Sequence, residues 1–206
     1  MTRPFAGLPL LCLAACVEPA PVPAKEVVRP AAEAVPAPVP PPALAATPVL
    51  SATRWGPLWI GMRRAQIERA LGRDADPDAV GGPEPERCDQ FRPERAPAGM
   101  LLMVEDGRLT RISLIRDAEV VTDRGLRLGA TTAEVSAAYG PALRASPHKY
   151  LGPPATYLDA WTGGPRPEPY VQDPAARGIR YEVGTEGRVT AIHAGGPSIQ
   201  YVEGCA

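Results

Sequence analysis

GMRRAQIERALG at residues 61–72 and GATTAEVSAAYG at residues 129–140 are two versions of one pattern. Both begin and end in glycine, and in both the apolar side chains recur at the i, i+3, i+4 spacing of a helix face. Thr131 and Glu134 form the S/T-x-x-E pattern that caps a helix at its amino end. The Gly-Pro pair after the second stretch can end that helix. Two short, similar helices are therefore predicted.

A second correspondence follows each helix, between DGRLTRI at residues 106–112 and EGRVTAI at residues 186–192. Each of these stretches joins two apolar runs through an acidic-Gly turn, which is typical of a β-hairpin. We expect an α+β fold of two tandem repeats, each a short helix followed by a small antiparallel sheet, packed pseudo-symmetrically. Repeat one covers about residues 55–118 and repeat two about residues 122–206.

Tandem helix-plus-sheet units with these glycine-bounded helices resemble two related groups of proteins. One is the small lipoprotein of the outer-membrane protein assembly machine, and the other is the secreted β-lactamase inhibitor protein. The stretches YVEGC (201–205) and HKY (148–150) also look like those of uncharacterised exported bacterial proteins. The resemblance covers about residues 56–206 and is confined to framework positions, so it implies no binding residues.

The amino terminus, MTRPFAGLPLLCLAAC, has the charged start and short apolar run of an export signal. Its end, Leu13-Ala14-Ala15-Cys16, resembles the bacterial lipobox. In that family the Cys thiol receives a diacylglycerol, the signal is cut before it, and the new amine takes an acyl chain such as palmitate. The resemblance implies a membrane-lipid anchor at Cys16, and Val17 in place of Asp implies the periplasmic face of the outer membrane. The alternative is an ordinary signal peptide that happens to contain Cys16.

The predicted domain organisation has three parts: a signal peptide at residues 1–15, the lipidated Cys and a flexible tether at residues 16–52, and a folded domain at residues 53–206. The tether is dominated by Pro and Ala. Proline disfavours helix interiors and central strands, so the segment is expected to act as a semi-stiff spacer.

The chain has 22 basic and 23 acidic residues and a net charge of −1. This balance creates no long-range field that would recruit nucleic acid, so no nucleic-acid partner is expected.

Two cysteines remain in the predicted domain, Cys88 and Cys205. In an oxidising compartment a lone pair is most simply a disulfide, and a redox-active pair would be expected at C-x-x-C spacing. With the cysteines paired, His148 and His193 are too few to form a metal site, and neither a metal nor another cofactor is expected. His193 alternates with Ile192 along its strand and is expected to face solvent.

No G-x-S-x-G or other nucleophile motif is present, so we expect a protein that is not an enzyme. The candidate contact region is His148-Lys149-Tyr150 together with Trp161. Lys149 beside an aromatic ring and an imidazole could hold an anion or a carboxylate. In the alternative interpretation this is a strand entry with Tyr150 packed and the charges in water.

The expected function is that of a membrane-anchored periplasmic lipoprotein, a non-catalytic binding or envelope-assembly module whose partner is a protein or a cell-wall ligand. The alternative is an inhibitor-like module that binds a periplasmic protein through its concave sheet. An exposed aromatic patch on the sheet would favour the inhibitor, whereas a covered sheet would favour the assembly module.

Overall fold

The computed structural model describes residues 47–205 of the chain. This part contains two eight-residue helices, α1 (Arg64–Leu71) and α2 (Thr132–Tyr139). Its strands are β1 (Arg54–Trp55), β2 (Leu58–Trp59), β3 (Cys88–Phe91), β4 (Met100–Glu105), β5 (Arg108–Ile115), β6 (Leu143–Pro147), β7 (Thr156–Trp161), β8 (Gly178–Val183) and β9 (Val189–Gly195). Single 3-10 turns cover Gly140–Ala142 and Pro197–Gln200. Among these described elements, no helix has the length and apolar character needed to cross a membrane.

Seven strands form one continuous sheet in the order β3-β4-β5-β9-β8-β7-β6, and β1 and β2 form a separate two-stranded ribbon. Every neighbouring pair in the sheet is antiparallel. The central pair is β5 with β9, where Ile112 lies opposite Ala194 and Leu114 opposite Ile192.

The predicted fold class, an α+β arrangement of two tandem units each with its own small sheet, is wrong. The described chain is mostly β, with its main strands merged into one seven-stranded sheet and with two short helices. The physical reason lies in β5 and β9, which would each have been the edge of a small sheet. An exposed edge leaves a row of backbone donors and acceptors unpaired. Pairing β5 with β9 satisfies both edges and joins the sheets.

The two similar stretches nevertheless make similar local contacts within this single sheet. The Gly61 amide donates to the Leu109 carbonyl at 2.7 Å, and the Gly129 amide donates to the Val189 carbonyl at 2.8 Å. The sequence similarity therefore describes how each helix begins against the hairpin that follows it, and carries no information about whether the sheets are separate.

Both helices contribute to one hydrophobic core against one face of the sheet. Ile67 and Leu71 of α1 and Val135 of α2 are buried there. They pack with the sheet side chains Leu102, Ile112, Leu114, Leu158, Ile179, Tyr181 and Ile192. The predicted cap of α2 is present, because the Thr131 hydroxyl accepts a hydrogen bond from the Glu134 amide at 3.2 Å.

The opposite face of the sheet carries polar and charged side chains and is called here the charged sheet face. Its members are Arg111 and Ser113 on β5, His193 on β9, Arg180 and Glu182 on β8, and Tyr157 and Asp159 on β7. Most of these residues are buried. The loop at residues 148–155 and the C-terminal segment, residues 196–205, lie over this face and supply hydrogen-bond partners to it.

Cys88 and Cys205 form a disulfide, as predicted. Their Cα atoms lie 5.4 Å apart, and 117 positions separate them in the sequence. The bond fixes the end of the C-terminal segment to the edge strand β3. Beside it, Gly204 has a positive φ of 69° and lies against the Gln90 side chain, so a larger residue there would strain the backbone and displace the Gln90 amide. The chain end is therefore held across the charged sheet face.

Candidate functional site

The charged sheet face contains a buried ion pair between Arg180 and Asp159. The two nitrogens Nε and Nη2 of Arg180 donate to the two carboxylate oxygens at 2.7 and 2.8 Å. The remaining terminal nitrogen donates to the Gln200 carbonyl at 3.3 Å, and the guanidinium lies 4.5 Å from the centroid of the Tyr157 ring. Because these contacts satisfy the guanidinium and the carboxylate, the ion pair is fixed in position. Removing one of the two side chains would leave the other charge buried and unpaired.

Arg111 is equally buried but has no acidic partner within ion-pair distance among residues 47–205. Its guanidinium donates to the carbonyls of Ser198 and Tyr201, at 3.1 and 2.9 Å, and to the side-chain oxygen of Gln90 at 2.9 Å. Burial lowers the pKa of Arg111 to about 10. The C-terminal segment thus supplies two of the three acceptors that hold this cation.

Two histidines converge on the carboxylate of Glu182. The amides of Tyr150 and Leu151 donate to Nδ1 of His148, at 3.1 and 3.2 Å, so the ring proton lies on Nε2. That nitrogen donates to Glu182 Oε1 at 3.0 Å, and His193 Nε2 lies 3.8 Å from Oε2. The approach of His193 and the hydrogen bond from His148 lower the pKa of Glu182 to about 2.

His193 completes a chain of three groups, because its Nδ1 lies 2.8 Å from the Ser113 hydroxyl. Serine, histidine and carboxylate in this order have the connectivity of a nucleophilic triad. Two observations argue against that chemistry. Ser113 is 1 % exposed, so its hydroxyl is not presented to a substrate. Burial, with the cations Arg111 and Arg180 nearby, lowers the pKa of His193 to about 4, which makes it a weak base at neutral pH.

Metal binding has no visible basis in the part of the chain that the structure describes. No group of three or more His, Cys, Asp and Glu side chains there is arranged to hold an ion.

The loop at residues 148–155 and the C-terminal segment meet above the charged sheet face. The Tyr150 hydroxyl donates a hydrogen bond to the Glu203 carboxylate. Lys149 Nζ lies 3.9 Å from the same carboxylate and 5.2 Å from the centroid of the Tyr150 ring. These contacts join the two covering segments at the molecular surface.

Exposed apolar and aromatic side chains gather around this junction. Seven large hydrophobic residues are exposed in residues 47–205. Five of them belong to the loop at residues 148–155, to the C-terminal segment and to the stretch around Tyr170, which lines one cavity with Lys149 and Tyr201. They are Tyr150, Leu151, Tyr170, Tyr201 and Val202, and we call them the tyrosine patch. The other two, Val49 and Trp59, lie near the start of the described chain.

The structure separates the four side chains that the sequence suggested as a contact region. Lys149 and Tyr150 are exposed and adjacent, whereas His148 is buried and stacks on Tyr157 with ring centroids 4.7 Å apart. Trp161 is buried at the other end of β7, in a small cluster with Val171, Ala176 and Ile199. His193 is mostly buried rather than solvated.

The sequence predicted no functional role for Glu182, Tyr170 or Tyr201, although Tyr201 begins the YVEGC stretch. Glu182 and His193 lie on neighbouring strands, and the period-2 alternation placed His193 on the correct face. Arg180, Glu182 and His193 alternate with apolar residues, as side chains of a solvent-facing strand do, so they gave no sign that this face is covered. Nothing in the sequence indicated that the chain end covers that face.

Comparison of the chain with protein-family models, with curated proteins and with solved structures finds no match. The lipobox and its Cys16 lie outside the residues that the structure describes.

Proposed function

We propose that this protein is a non-catalytic protein-binding module of the bacterial envelope and that the tyrosine patch is its contact surface. The observation that carries the proposal is the concentration of exposed large hydrophobic side chains at one place, five of seven in the described chain. Tyrosine is enriched where proteins bind each other, because it offers a large, rigid surface with a polar tip. Scattered single side chains would need no such explanation.

The residues beneath the patch support this proposal, because they hold in place the three segments that carry it. The Gln200 side chain hydrogen-bonds both backbone groups of Val171, at 2.9 and 2.8 Å, which ties the segment of Tyr170 to the chain end. His148 anchors the loop of Tyr150 and Leu151. A surface that is ordered before binding loses less conformational entropy when a partner arrives.

The covered sheet favours an assembly or scaffold module over an inhibitor that binds through its sheet. The hydrophobic core lies on one face, and the buried charged side chains, beneath two covering segments, lie on the other. Neither face is therefore available to wrap an enzyme. The buried state of Ser113 likewise favours binding over catalysis.

The lipid anchor completes the proposal. The Leu-Ala-Ala-Cys end of the predicted signal supports attachment through Cys16, on the periplasmic face of the outer membrane. Two or more acyl chains hold a protein firmly to a membrane, at roughly 0.8 kcal/mol per buried CH₂. The Pro- and Ala-rich stretch that follows would let the domain meet a partner at a distance from the bilayer.

Two aspartate substitutions test this surface. In cells that make the full chain, Leu151→Asp with Val202→Asp should abolish chemical crosslinks to the partner, because both positions are exposed and a charge there would have to be buried on docking. The thermal midpoint should change little, since neither side chain belongs to the core.

Val49→Asp is the matched control, because Val49 is exposed to a similar degree outside the patch. It should leave the crosslinks in place. Unchanged crosslinks in the double variant, or equal loss in the control, would remove the patch from consideration. Turnover of a substrate that follows the purified protein would contradict the non-catalytic assignment.

A further inference from the structure

We infer that the cavity in the middle of the tyrosine patch is a recognition site for a cationic side chain, Arg or Lys, presented by the partner protein. This inference rests on the proposed function and names the chemistry of the partner that the patch accepts.

The cavity has a volume of about 640 Å³ and lies between the end of β4 and the C-terminal segment. Glu105, Lys149, Tyr170, Tyr201 and Glu203 are among the residues that line it. Two aromatic rings and two carboxylates around one void are the groups that stabilise a cation, through the negative ring faces and through direct charge attraction.

Glu105 is the carboxylate of this cavity that has no cation beside it in the described chain, and the Tyr201 side chain hydrogen-bonds to it. It is the last residue of β4, it is partly exposed, and no Lys, Arg or His side chain among residues 47–205 comes within 4.0 Å of its carboxylate. Its charge reaches the rings on either side: burial and then the nearby Glu105 raise the pKa of Tyr201, and Glu105 also acts to raise that of Tyr170. The carboxylate therefore lies near both rings, and no cationic side chain of residues 47–205 pairs with it.

Lys149 does not take that role, because it already faces Glu203 and the Tyr150 ring. Arg111, which lies beneath, directs its hydrogen bonds to the carbonyls of Ser198 and Tyr201 and to Gln90. Glu203 is thus paired with Lys149, whereas the nearest charge to influence Glu105 is that of Arg111, which is buried beneath and lies beyond ion-pair distance. An anionic ligand would meet two carboxylates in this cavity, so a cation is the better fit.

In the test, the purified full chain is titrated with a peptide probe. The NMR signals of the Tyr170 and Tyr201 rings report whether the probe binds. The probe is the capped tripeptide acetyl-Ala-Arg-Ala-amide, and acetyl-Ala-Gln-Ala-amide is its uncharged counterpart. The Arg peptide should shift both ring signals in a saturable and salt-sensitive manner, and the Gln peptide should not. Equal shifts with both peptides, or none with the Arg peptide, would overturn the inference.

Three variants sharpen this titration. Glu105→Gln keeps the shape and removes the charge, and it should weaken binding of the Arg peptide about fivefold. Glu119→Gln removes an exposed carboxylate outside the cavity and should change nothing. Lys149→Met removes the competing cation and should tighten binding about twofold to threefold, since like charges repel. Unchanged affinity in Glu105→Gln, or weaker binding in Lys149→Met, would contradict a cation site.

These results separate this inference from the proposed function. If the double variant Leu151→Asp with Val202→Asp keeps its crosslinks while the Arg peptide still binds through Glu105, the cation site stands and the patch proposal fails. If the crosslinks depend on the patch but Glu105→Gln leaves both the crosslinks and the peptide affinity unchanged, the patch stands and the cation site is wrong.

Discussion

The buried side chains of His193 and Arg111 and the half-buried side chain of Glu182 show how closely the charges on the charged sheet face are balanced. His193 lies beside a carboxylate and two guanidinium groups, and burial with the nearby cations keeps it neutral, with a pKa near 4 instead of the ordinary 6.5. Glu182, with two histidines on its oxygens, stays ionised down to about pH 2. The charges on this face therefore favour the folded state at neutral pH, and acid weakens that stabilisation.

His193 should make folding depend on pH between 6.5 and 4.5. In that range the unfolded chain binds a proton at this imidazole and the folded chain does not, so stability falls as the pH falls. The stabilisation from Glu182 is lost only below its ordinary pKa of 4.5, so it does not contribute in this window. We expect a loss of roughly 2 kcal/mol between the two pH values from His193.

His193→Gln keeps a polar side chain at this position and removes the titration. In urea denaturation its free energy of unfolding should differ little between pH 6.5 and 4.5. If the variant and the original chain show the same difference between these pH values, the assignment of the acid sensitivity to His193 is incorrect.

At this scale the sequence predicted the disulfide, but not the environment of His193. A domain that is predicted to be exported and that holds two cysteines has one simple pairing, so a bond between Cys88 and Cys205 could be predicted from the sequence. The environment of His193 depends on contacts over long sequence separations, such as the bond from Arg111 to Ser198 across 87 positions. Local patterns do not report such contacts.

Among the elements, the C-terminal segment has the largest effect on the site. It gives acceptors to Arg111 and Arg180, carries Tyr201 and Val202 of the patch, and is fixed at its end by the disulfide. Without that bond, the segment would be held by hydrogen bonds and by the packing of Ile199.

Cys205→Ser should therefore lower stability and loosen the patch. For a closed loop of this length the chain-entropy model gives about 5 kcal/mol, and measured values are often smaller. The loss should be visible in urea denaturation, together with faster proteolysis within residues 201–205. Reduction of the original chain with dithiothreitol should give the same change. A variant as stable as the oxidised chain would show that the disulfide contributes nothing.

The sequence located most individual elements, including both helices and the hairpins of β4 with β5 and β8 with β9. It did not predict how the hairpins join. β5 and β9 have alternating apolar residues, and this pattern fits an edge strand and a central strand equally well. Only the pairing of the two strands with each other distinguishes these positions. The repeated helix pattern suggested two separate units. Similarity between short stretches carries no information about which strands pair, so it did not correct that interpretation.

For the whole molecule, the proposed function needs attachment as well as the patch. Cys16→Ser should abolish labelling of the chain by a radioactive or clickable fatty acid and should release the protein from the membrane fraction. The reason is that lipidation requires the thiol, and the lipid is the anchor in this proposal. A Cys16→Ser chain that still labels and sediments with membranes would refute the lipid anchor.

Site-specific photocrosslinking from the tyrosine patch tests the central claim most directly. The full chain is made in cells with p-benzoylphenylalanine at position 170, or at position 59 as a control of similar exposure, since Tyr170 is 44 % and Trp59 48 % exposed. We predict one discrete protein adduct from position 170, lost on adding Leu151→Asp with Val202→Asp, and no such adduct from position 59. The same adduct from both positions, or from position 59 alone, would contradict the account.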